Sequence, residues 1–298
     1  MNDTQTKSGT KSGTKPGGVL DIRPLSVALG AEIRGVDLSK PLDDATVAAI
    51  KDAWHDHIVL LFRGQDIDAD QQTVFAEHFG DVGTRSRPPE RRPEGADYNA
   101  SIMLVSNVKK DGEYIGSLPD GEMWFHHDMC YDIAPHKGTF LYSMELPSTG
   151  GNTLFANMYM AYDALSAETK NRIKGKTALQ IYDFATRETV DISGDIAQYK
   201  HCVQPVTVTH PITGRRALYV NPLITARIED MPDDESRALL DELFGFAENR
   251  DIVYEHEWQL GDLLMWDNWC SCHARTDFPA AERRMLRRCT VKGQQLFE

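Results

Sequence analysis

From residue 103 onward the sequence is a succession of short apolar stretches separated by glycine, proline and polar residues. Stretches of this length, rich in β-branched and aromatic residues, are typical of β-strands. We predict strands at residues 103–108, 122–130, 139–146, 152–156, 217–221, 252–259, 262–266 and 284–292. Helices are predicted at about 159–173 and 233–247. This pattern predicts a β-rich α+β protein, built as a β-sandwich or jelly roll that carries flanking helices.

The region before residue 103 has a different texture. Residues 1–18 contain the tetrapeptide TKSG twice and almost nothing that could be buried, so we predict a disordered tail and a single domain over 19–298. Helical spacing of apolar residues from Leu42 to His57 predicts a helix, and residues 57–62 are predicted to form a short buried strand. Asp68 with Gln71 forms a capping box that opens a second helix. A long loop is predicted at 83–98.

Charge and composition limit the partners. The net charge is −13, which opposes attraction to nucleic acid or to anionic lipid. No apolar run approaches the roughly 20 residues of a membrane span, and no secretory leader is apparent, so we expect a cytoplasmic protein. The five cysteines show no disulfide pattern, although Cys270 and Cys272 could form half of a zinc site. We expect a small-molecule substrate and leave a homo-oligomer open.

The first chemical motif is Trp124-Phe-His-His-Asp128, inside a predicted strand. Because strand side chains alternate between faces, His126 and Asp128 should point the same way and His127 the opposite way. Two histidines and one carboxylate leave three open positions on an octahedral ion, the arrangement of Fe(II) oxygenases. An H-x-D motif alone also occurs by chance in strands without a metal.

The second motif is the segment 261–273, which ends at His273 and is followed by four arginines between 283 and 288. His273 is a candidate third ligand, in competition with His136, His201, His210 and His256. In a strand, Arg284 and Arg288 would share a face, and a buried guanidinium presents a planar fork to a carboxylate. The alternative interpretation is that these arginines form a solvated basic face.

Taken together, these segments resemble the taurine/2,4-dichlorophenoxyacetate dioxygenase (TauD/TfdA) family of 2-oxoglutarate-dependent enzymes. The resemblance covers nearly all of the chain after the tail, in the same order. Its segments are 25–38, 59–65, Phe79-Gly80, Ser106-Asn107, the H-x-D motif, Pro147-Ser-Thr-Gly-Gly-Asn-Thr153 with 161–165, Gly261–Asn268, Arg284 and Arg288.

The resemblance implies a double-stranded β-helix, a form of jelly roll, and a set of roles. His126, Asp128 and His273 would be the catalytic iron ligands, and Thr153 and Arg284 would bind the distal carboxylate of 2-oxoglutarate. Arg288 would face the anionic group of the substrate. The implied reaction uses Fe(II), 2-oxoglutarate and O2, hydroxylates a small organic substrate, and releases succinate and CO2; the cofactor supplies the oxidation and the protein positions it.

Two departures from the family pattern concern the substrate. Where taurine dioxygenases carry an aromatic, histidine-bearing segment, this chain has Arg85 and Arg87, and upstream of the H-x-D motif it has Glu122 in place of a neutral residue. Taurine is therefore not the expected substrate, and another small acid is. If strand alternation holds, Glu122 and Trp124 share the face of His126. The resemblance implies that Arg85 lies on a loop bordering the same pocket and that Arg288 faces it, so we predict Glu122, Arg85 and Arg288 as substrate contacts. The alternative is that Glu122 and Arg85 pair with each other or face solvent.

Two other classes of function remain open on the sequence. One is a catalytically inactive relative that binds a metal without turnover. The other is a zinc-dependent hydrolase with the same three ligands, in which Thr153 and Arg284 would have no role.

Overall fold

The computed structural model describes residues 20–84, 98–118, 120–184 and 188–298. The predicted tail and Arg85 lie outside the described residues. The helices are α1 (Asp44–His57), α2 (Ala69–Glu77), α3 (Met158–Ala164), α4 (Ala167–Ile173) and α5 (Asp233–Ala247). The strands of the first half are β1 (Asp21–Pro24), β2 (Ala31–Arg34), β3 (Val59–Phe62), β4 (Met103–Ser106), β5 (Lys109–Lys110), β6 (Glu113–Tyr114), β7 (Met123–His126), β8 (Gly138–Glu145) and β9 (Thr153–Asn157). Those of the second half are β10 (Thr177–Tyr182), β11 (Lys200–Pro205), β12 (Thr207–Thr209), β13 (Arg216–Leu218), β14 (Thr225–Ile228), β15 (Val253–His256), β16 (Leu263–Asp267), β17 (Ser271–Arg275) and β18 (Met285–Val291).

Two sheets form the centre of the fold. The large sheet has the order β1-β2-β3-β16-β8-β18-β4, and the small sheet has the order β15-β9-β17-β7. Strands distant in sequence are therefore neighbours, as in a jelly roll. The inner faces of the two sheets meet, and Phe155 of the small sheet lies edge-on to Trp266 of the large sheet with ring centroids 5.2 Å apart. The predicted jelly-roll core with flanking helices is confirmed.

The outer face of the large sheet is covered by α1 and α2. Trp54 of α1 and Phe75 of α2 pack with Phe79 and with Phe140 of β8 in one aromatic cluster. Strands such as β3, β8 and β16 are thus covered on both faces, which explains why their sequences are apolar with little alternation.

Side-chain caps mark the starts of α2 and α4. Asp68 and Gln71 form the predicted capping box at the start of α2, and α5 has the predicted bounds. The single helix predicted at 159–173 is wrong, because the structure has two helices there. Leu165 adopts an extended conformation, and the Ser166 hydroxyl accepts the Thr169 amide as a new N-cap.

Several strands had no clear sequence signal. The strands β10, β11 and β14 form a separate sheet in the order β11-β10-β14, and β17, which carries His273, was not predicted as a strand. The sequence of β17, Ser-Cys-His-Ala-Arg, has no β-branched or large aromatic residue. Its conformation is set by pairing with β9 and β7 on either side, a tertiary contact that local propensity does not report.

Candidate active site

A cavity of ≈ 70 Å³ lies between the two sheets, and six of the predicted site residues line it. The small sheet supplies His126, Thr153 and His273, while Asp128 follows β7 directly. Arg284 and Arg288 enter from β18 and its preceding turn. The rest of the lining comprises Val105, Leu118, Met123, Leu141, Trp266, Ala274 and Arg275.

His126, Asp128 and His273, here called the pocket triad, could hold a metal ion. One ligating atom from each lies within 4.8 Å of the other two. The Nε2 atom of His273 is 3.9 Å from Oδ1 of Asp128. The Nδ1 atom of His126 lies 2.8 Å from the Trp124 carbonyl oxygen, which can only accept, so Nδ1 carries the proton and the Nε2 lone pair is left for a metal.

Burial keeps both imidazoles neutral. It lowers the pKa of His126 and lowers the pKa of His273 well below its usual value. For Asp128, burial opposes ionisation, but Arg288, the two histidines and a hydrogen bond from Thr139 together hold the pKa of the carboxyl well below its usual range. Two neutral imidazoles and an ionised carboxylate are the donor set that a divalent transition metal requires.

The Asp128 carboxylate is oriented from both sides. Thr139 donates its hydroxyl to Oδ2 at 2.7 Å, and Asn268 donates to the Thr139 oxygen at 3.0 Å. Arg288 also contacts Oδ2, at 2.7 Å. The sequence marked Asn268 only as part of the segment 261–273, and its link to the triad through Thr139 of β8 gave no sequence signal.

Arg284 lies at another part of the same pocket and is 2% exposed. Its Nη2 donates to the Gly151 carbonyl at 3.0 Å, whereas its buried Nε has no hydrogen-bond partner among the described residues. Burial, with repulsion from Arg275, lowers the pKa of Arg284 to about 9. A buried cation with an unpaired donor fits a carboxylate ligand such as the distal group of 2-oxoglutarate.

In the segment 147–153, position 151 requires glycine. Its φ is +67°, and a Cβ there would lie 2.8 Å from Nε of Arg284. Any side chain at 151 would therefore displace the guanidinium. The backbone of Arg284 is fixed in turn by Asn107, whose Oδ1 accepts the Arg284 amide at 2.8 Å.

The predicted common face of Glu122, Trp124 and His126 is wrong. In the pairing of β17 with β7, His273 is opposite His126 but Arg275 is opposite Met123, so β7 has one extra residue at this point. Such a bulge reverses the alternation. Met123 consequently lines the pocket, Trp124 is 47% exposed, and Glu122 is exposed and is not among the lining residues.

His127 faces away from the pocket, as the alternation predicted, but it is fully buried. It contacts Asn221 at 3.3 Å and the Cys272 sulfur at 3.2 Å, and its ring packs 4.3 Å from that of Tyr219. Burial lowers the pKa of His127 to about 3. It therefore packs the neighbouring core behind the triad.

The histidines that competed with His273 lie elsewhere. His136 and His201 are not in the pocket lining, and His256 is buried against Asp262, 3.1 Å away. His210 joins Asp267 and Cys270 in a second group of potential ligands, here called the buried cluster, whose ligating atoms also lie within 4.8 Å of one another. The Cys270–Cys272 pair does not act as one unit, because Cys272 contacts His127 instead.

Comparison with known proteins agrees with this geometry. The family model described as taurine catabolism dioxygenase TauD, TfdA family, matches residues 21–290. Pentalenolactone F synthase of Streptomyces avermitilis is 35% identical over 279 residues, covering 88% of this chain and 90% of the synthase. The alpha-ketoglutarate-dependent 2,4-dichlorophenoxyacetate dioxygenase of Cupriavidus pinatubonensis is 31% identical, covering 90% of this chain and 96% of that enzyme.

Solved structures show the same likeness. The crystal structure of AAD-2 in complex with Mn(II) and N-oxalylglycine superposes with a TM-score of 0.75 at 30% identity, covering 93% of this chain and 98% of that one. A taurine dioxygenase from Burkholderia xenovorans gives a TM-score of 0.78 at 26% identity, covering 94% and 95%. The chain therefore belongs to the TauD/TfdA family and is a 2-oxoglutarate-dependent dioxygenase that uses Fe(II) and O2.

Proposed function

We propose that the pocket triad binds the iron and that Arg284 and Thr153 bind the distal carboxylate of 2-oxoglutarate. The single observation that supports this most is the joint placement of the triad and Arg284 in one cavity between the sheets. The lone pair at His126 and the unpaired Nε of Arg284 both need a ligand. An ion at one and a carboxylate at the other would satisfy both.

The bound iron and its cosubstrate supply the oxidising chemistry when substrate is present. The residues of this chain hold the reactants in place and keep water away from them. Thr139 and Arg288 fix the Asp128 carboxylate, and the Trp124 carbonyl fixes the ring of His126. Trp266 and Leu141 form apolar walls that exclude water from the space beside the triad.

The substrate we propose is a small organic acid with an apolar body. Val105, Leu118, Met123 and Ala274 supply an apolar lining, and Arg288 is the cation nearest the triad. An aryloxy acid meets both requirements, as in the enzyme named for 2,4-dichlorophenoxyacetate. The predicted substrate contact of Arg288 remains part of this proposal.

Glu122 and Arg85 enter the proposal differently. Arg85 lies outside the described residues, so its predicted contact with an acidic substrate stays a prediction. Glu122 is exposed and separated from the lining by the bulge in β7. It would reach a substrate only at the mouth of the pocket.

The test is succinate formation by the purified protein with Fe(II), 2-oxoglutarate and O2. The panel would contain 2,4-dichlorophenoxyacetate, a 2-phenoxypropionate, an alkyl sulfate ester and taurine. We expect at least one aryloxy or alkyl acid to stimulate succinate above the substrate-free rate, and taurine to have no effect. A dependence on zinc with no use of 2-oxoglutarate would contradict the proposal.

We also propose a cytoplasmic location and a single domain over residues 19–298. All five cysteines are free thiols, which fits a reducing compartment. None of the helices in the described part of the chain is long and apolar enough to cross a membrane. The two sheets draw strands from both ends of the described chain, β1–β4 and β15–β18, which supports one folding unit.

A further inference from the structure

We propose that Trp258 is a positioning residue for the cosubstrate, acting through the hydroxyl of Thr153. This inference rests on the proposed role of Thr153 toward the distal carboxylate of 2-oxoglutarate. Trp258 does not line the pocket and lies in the turn after β15, two residues beyond the end of that strand. Its indole nitrogen nevertheless donates to Oγ1 of Thr153 at 3.1 Å.

Because the indole of Trp258 can only donate, it constrains the direction of the Thr153 hydroxyl proton. A threonine hydroxyl has one donor and two acceptor positions, whereas an indole N–H can only donate. Thr153 must therefore accept from Trp258, and its own O–H proton must point elsewhere. Thr153 is buried and its side chain lines the pocket, so the remaining donor is available to an anionic ligand there.

The indole is itself held by a buried hydrogen-bonded group. The ring of His256 lies 4.7 Å from that of Trp258 with the two planes at 89°. His256 contacts Asp262 through Nε2 at 3.1 Å and Tyr254 through Nδ1 at 3.0 Å, and Arg63 pairs with Asp262 at 2.6 Å. A ring anchored at both nitrogens gives Trp258 a fixed surface to pack on.

Strand pairing places His256 beside Thr153, in the part of the pocket where we propose that the distal carboxylate of 2-oxoglutarate binds. In the small sheet His256 is directly opposite Thr153 on one side, and Arg275 is opposite Thr153 on the other. Arg284, with its unpaired Nε, lines the same cavity. Trp258 thus prepares one of two donors for the carboxylate before the ligand arrives, which lowers the ordering cost of binding.

The experiment measures ligand binding to Fe(II)-loaded protein without O2, by calorimetry, for wild type, Trp258→Phe, Thr153→Val and the double variant. Trp258→Phe keeps one aromatic ring beside His256 and removes the N–H together with part of the indole. We expect its dissociation constant for 2-oxoglutarate to rise about three- to tenfold, the range for one lost hydrogen bond. Thr153→Val should weaken binding at least as much, and Trp258→Phe should add nothing in the Thr153→Val background.

Two controls separate positioning from general damage. Pyruvate keeps the oxo-acid group but lacks the distal carboxylate, so its affinity should be equal in wild type and Trp258→Phe. Trp269→Phe is the matched variant, because that buried indole donates to the Pro135 carbonyl at 3.3 Å, outside the pocket lining. It should leave 2-oxoglutarate affinity unchanged.

The outcomes distinguish this inference from the proposed function. If Thr153→Val weakens 2-oxoglutarate binding and Trp258→Phe does not, the positioning role is wrong and the role of Thr153 stands. If pyruvate affinity falls as much as that of 2-oxoglutarate, Trp258 acts on the whole pocket, which also overturns the inference. If Thr153→Val itself has no effect, the proposed role of Thr153 is wrong.

Discussion

The pocket triad and the buried cluster contain similar side chains but differ in what remains unpaired. In the triad, His126 uses only Nδ1 for a hydrogen bond. In the buried cluster, Nδ1 of His210 accepts two backbone amides, at 3.2 and 3.1 Å, and its Nε2 contacts Asp267 at 3.0 Å. The other Asp267 oxygen accepts the Trp269 amide at 2.9 Å.

The two groups have similar residue types, so the difference lies in which imidazole nitrogen carries the proton and whether the other has a lone pair free for a metal. Because Nδ1 of His210 accepts, Nε2 must carry the proton, and a metal there would have to displace it. Both nitrogens of His210 are therefore already satisfied by protein atoms. Of the two ligand groups in the described part of the chain, the pocket triad is the one that offers free lone pairs beside a cavity, so we expect one metal ion per chain.

The largest predicted effect is loss of iron from triad variants. His126→Ala, Asp128→Ala and His273→Ala should each abolish iron binding and 2-oxoglutarate consumption, since two remaining ligands do not hold the ion in its geometry. Metal analysis after anaerobic loading with Fe(II) measures this. Retention of stoichiometric iron by all three variants would place the metal elsewhere.

Variants of the buried cluster should show the opposite behaviour. Asp267→Ala leaves the N–H groups of His210 and Trp269 buried without an acceptor, so we expect a loss of about 2–6 kcal/mol in the free energy of unfolding, at roughly 1–3 kcal/mol for each group. Iron per folded chain should stay at the wild-type value. Denaturant unfolding gives the first quantity and metal analysis the second; a loss of iron at wild-type stability would assign the metal to this cluster.

Arg284 extends the comparison, because the pocket also carries an unpaired donor, whereas the N–H of His210 in the buried cluster is bonded to Asp267. Arg284→Ala should weaken 2-oxoglutarate binding by about 2–5 kcal/mol through loss of a buried charged pair. Arg284→Lys should restore only part of this, because an ammonium cannot reproduce the guanidinium fork. Iron should still bind. Unchanged 2-oxoglutarate affinity in Arg284→Ala would move the anchor to Arg288.

The smallest predicted effect concerns acid sensitivity near the pocket. Burial, with repulsion from Arg288, lowers the pKa of His136 to about 4. Between that value and the ordinary pKa near 6.5 the unfolded chain binds a proton that the folded chain does not, so stability falls as the pH falls through this window. Between pH 7 and pH 5, the free energy of unfolding of His136→Gln should fall by about 1–2 kcal/mol less than that of the wild type. Equal losses in both proteins would show that His136 does not titrate as described.

Sequence patterns predicted the parts of the site that depend on local regularity. The predicted alternation put His126 and Asp128 on the pocket side and His127 on the other, as the structure has them, although β7 ends at His126 and Asp128 lies two residues beyond it. The same rule failed at Trp124 and Glu122, because the bulge in β7 is set by pairing with β17. Nothing local to residues 122–126 signals the extra residue.

Contacts between distant segments were the parts that sequence reasoning missed. Trp258 and Thr153 are 105 positions apart, and Asn268 reaches Asp128 only through Thr139, 129 positions away. The jelly-roll strand order brings both pairs together, because β9 lies beside β15 in the small sheet and β8 lies beside β16 in the large sheet. A single sequence contains the residue types but not these pairings.

The most direct test of the central claim is a titration of anaerobic protein with Fe(II) in the presence of 2-oxoglutarate, followed by the visible charge-transfer absorption of the complex. The matched pair is His126→Ala and His210→Ala, one histidine from each group. We predict a 1:1 endpoint for wild type and for folded His210→Ala, and no band for His126→Ala. A wild-type band in His126→Ala, or its loss in folded His210→Ala, would contradict the assignment of the iron to the pocket triad.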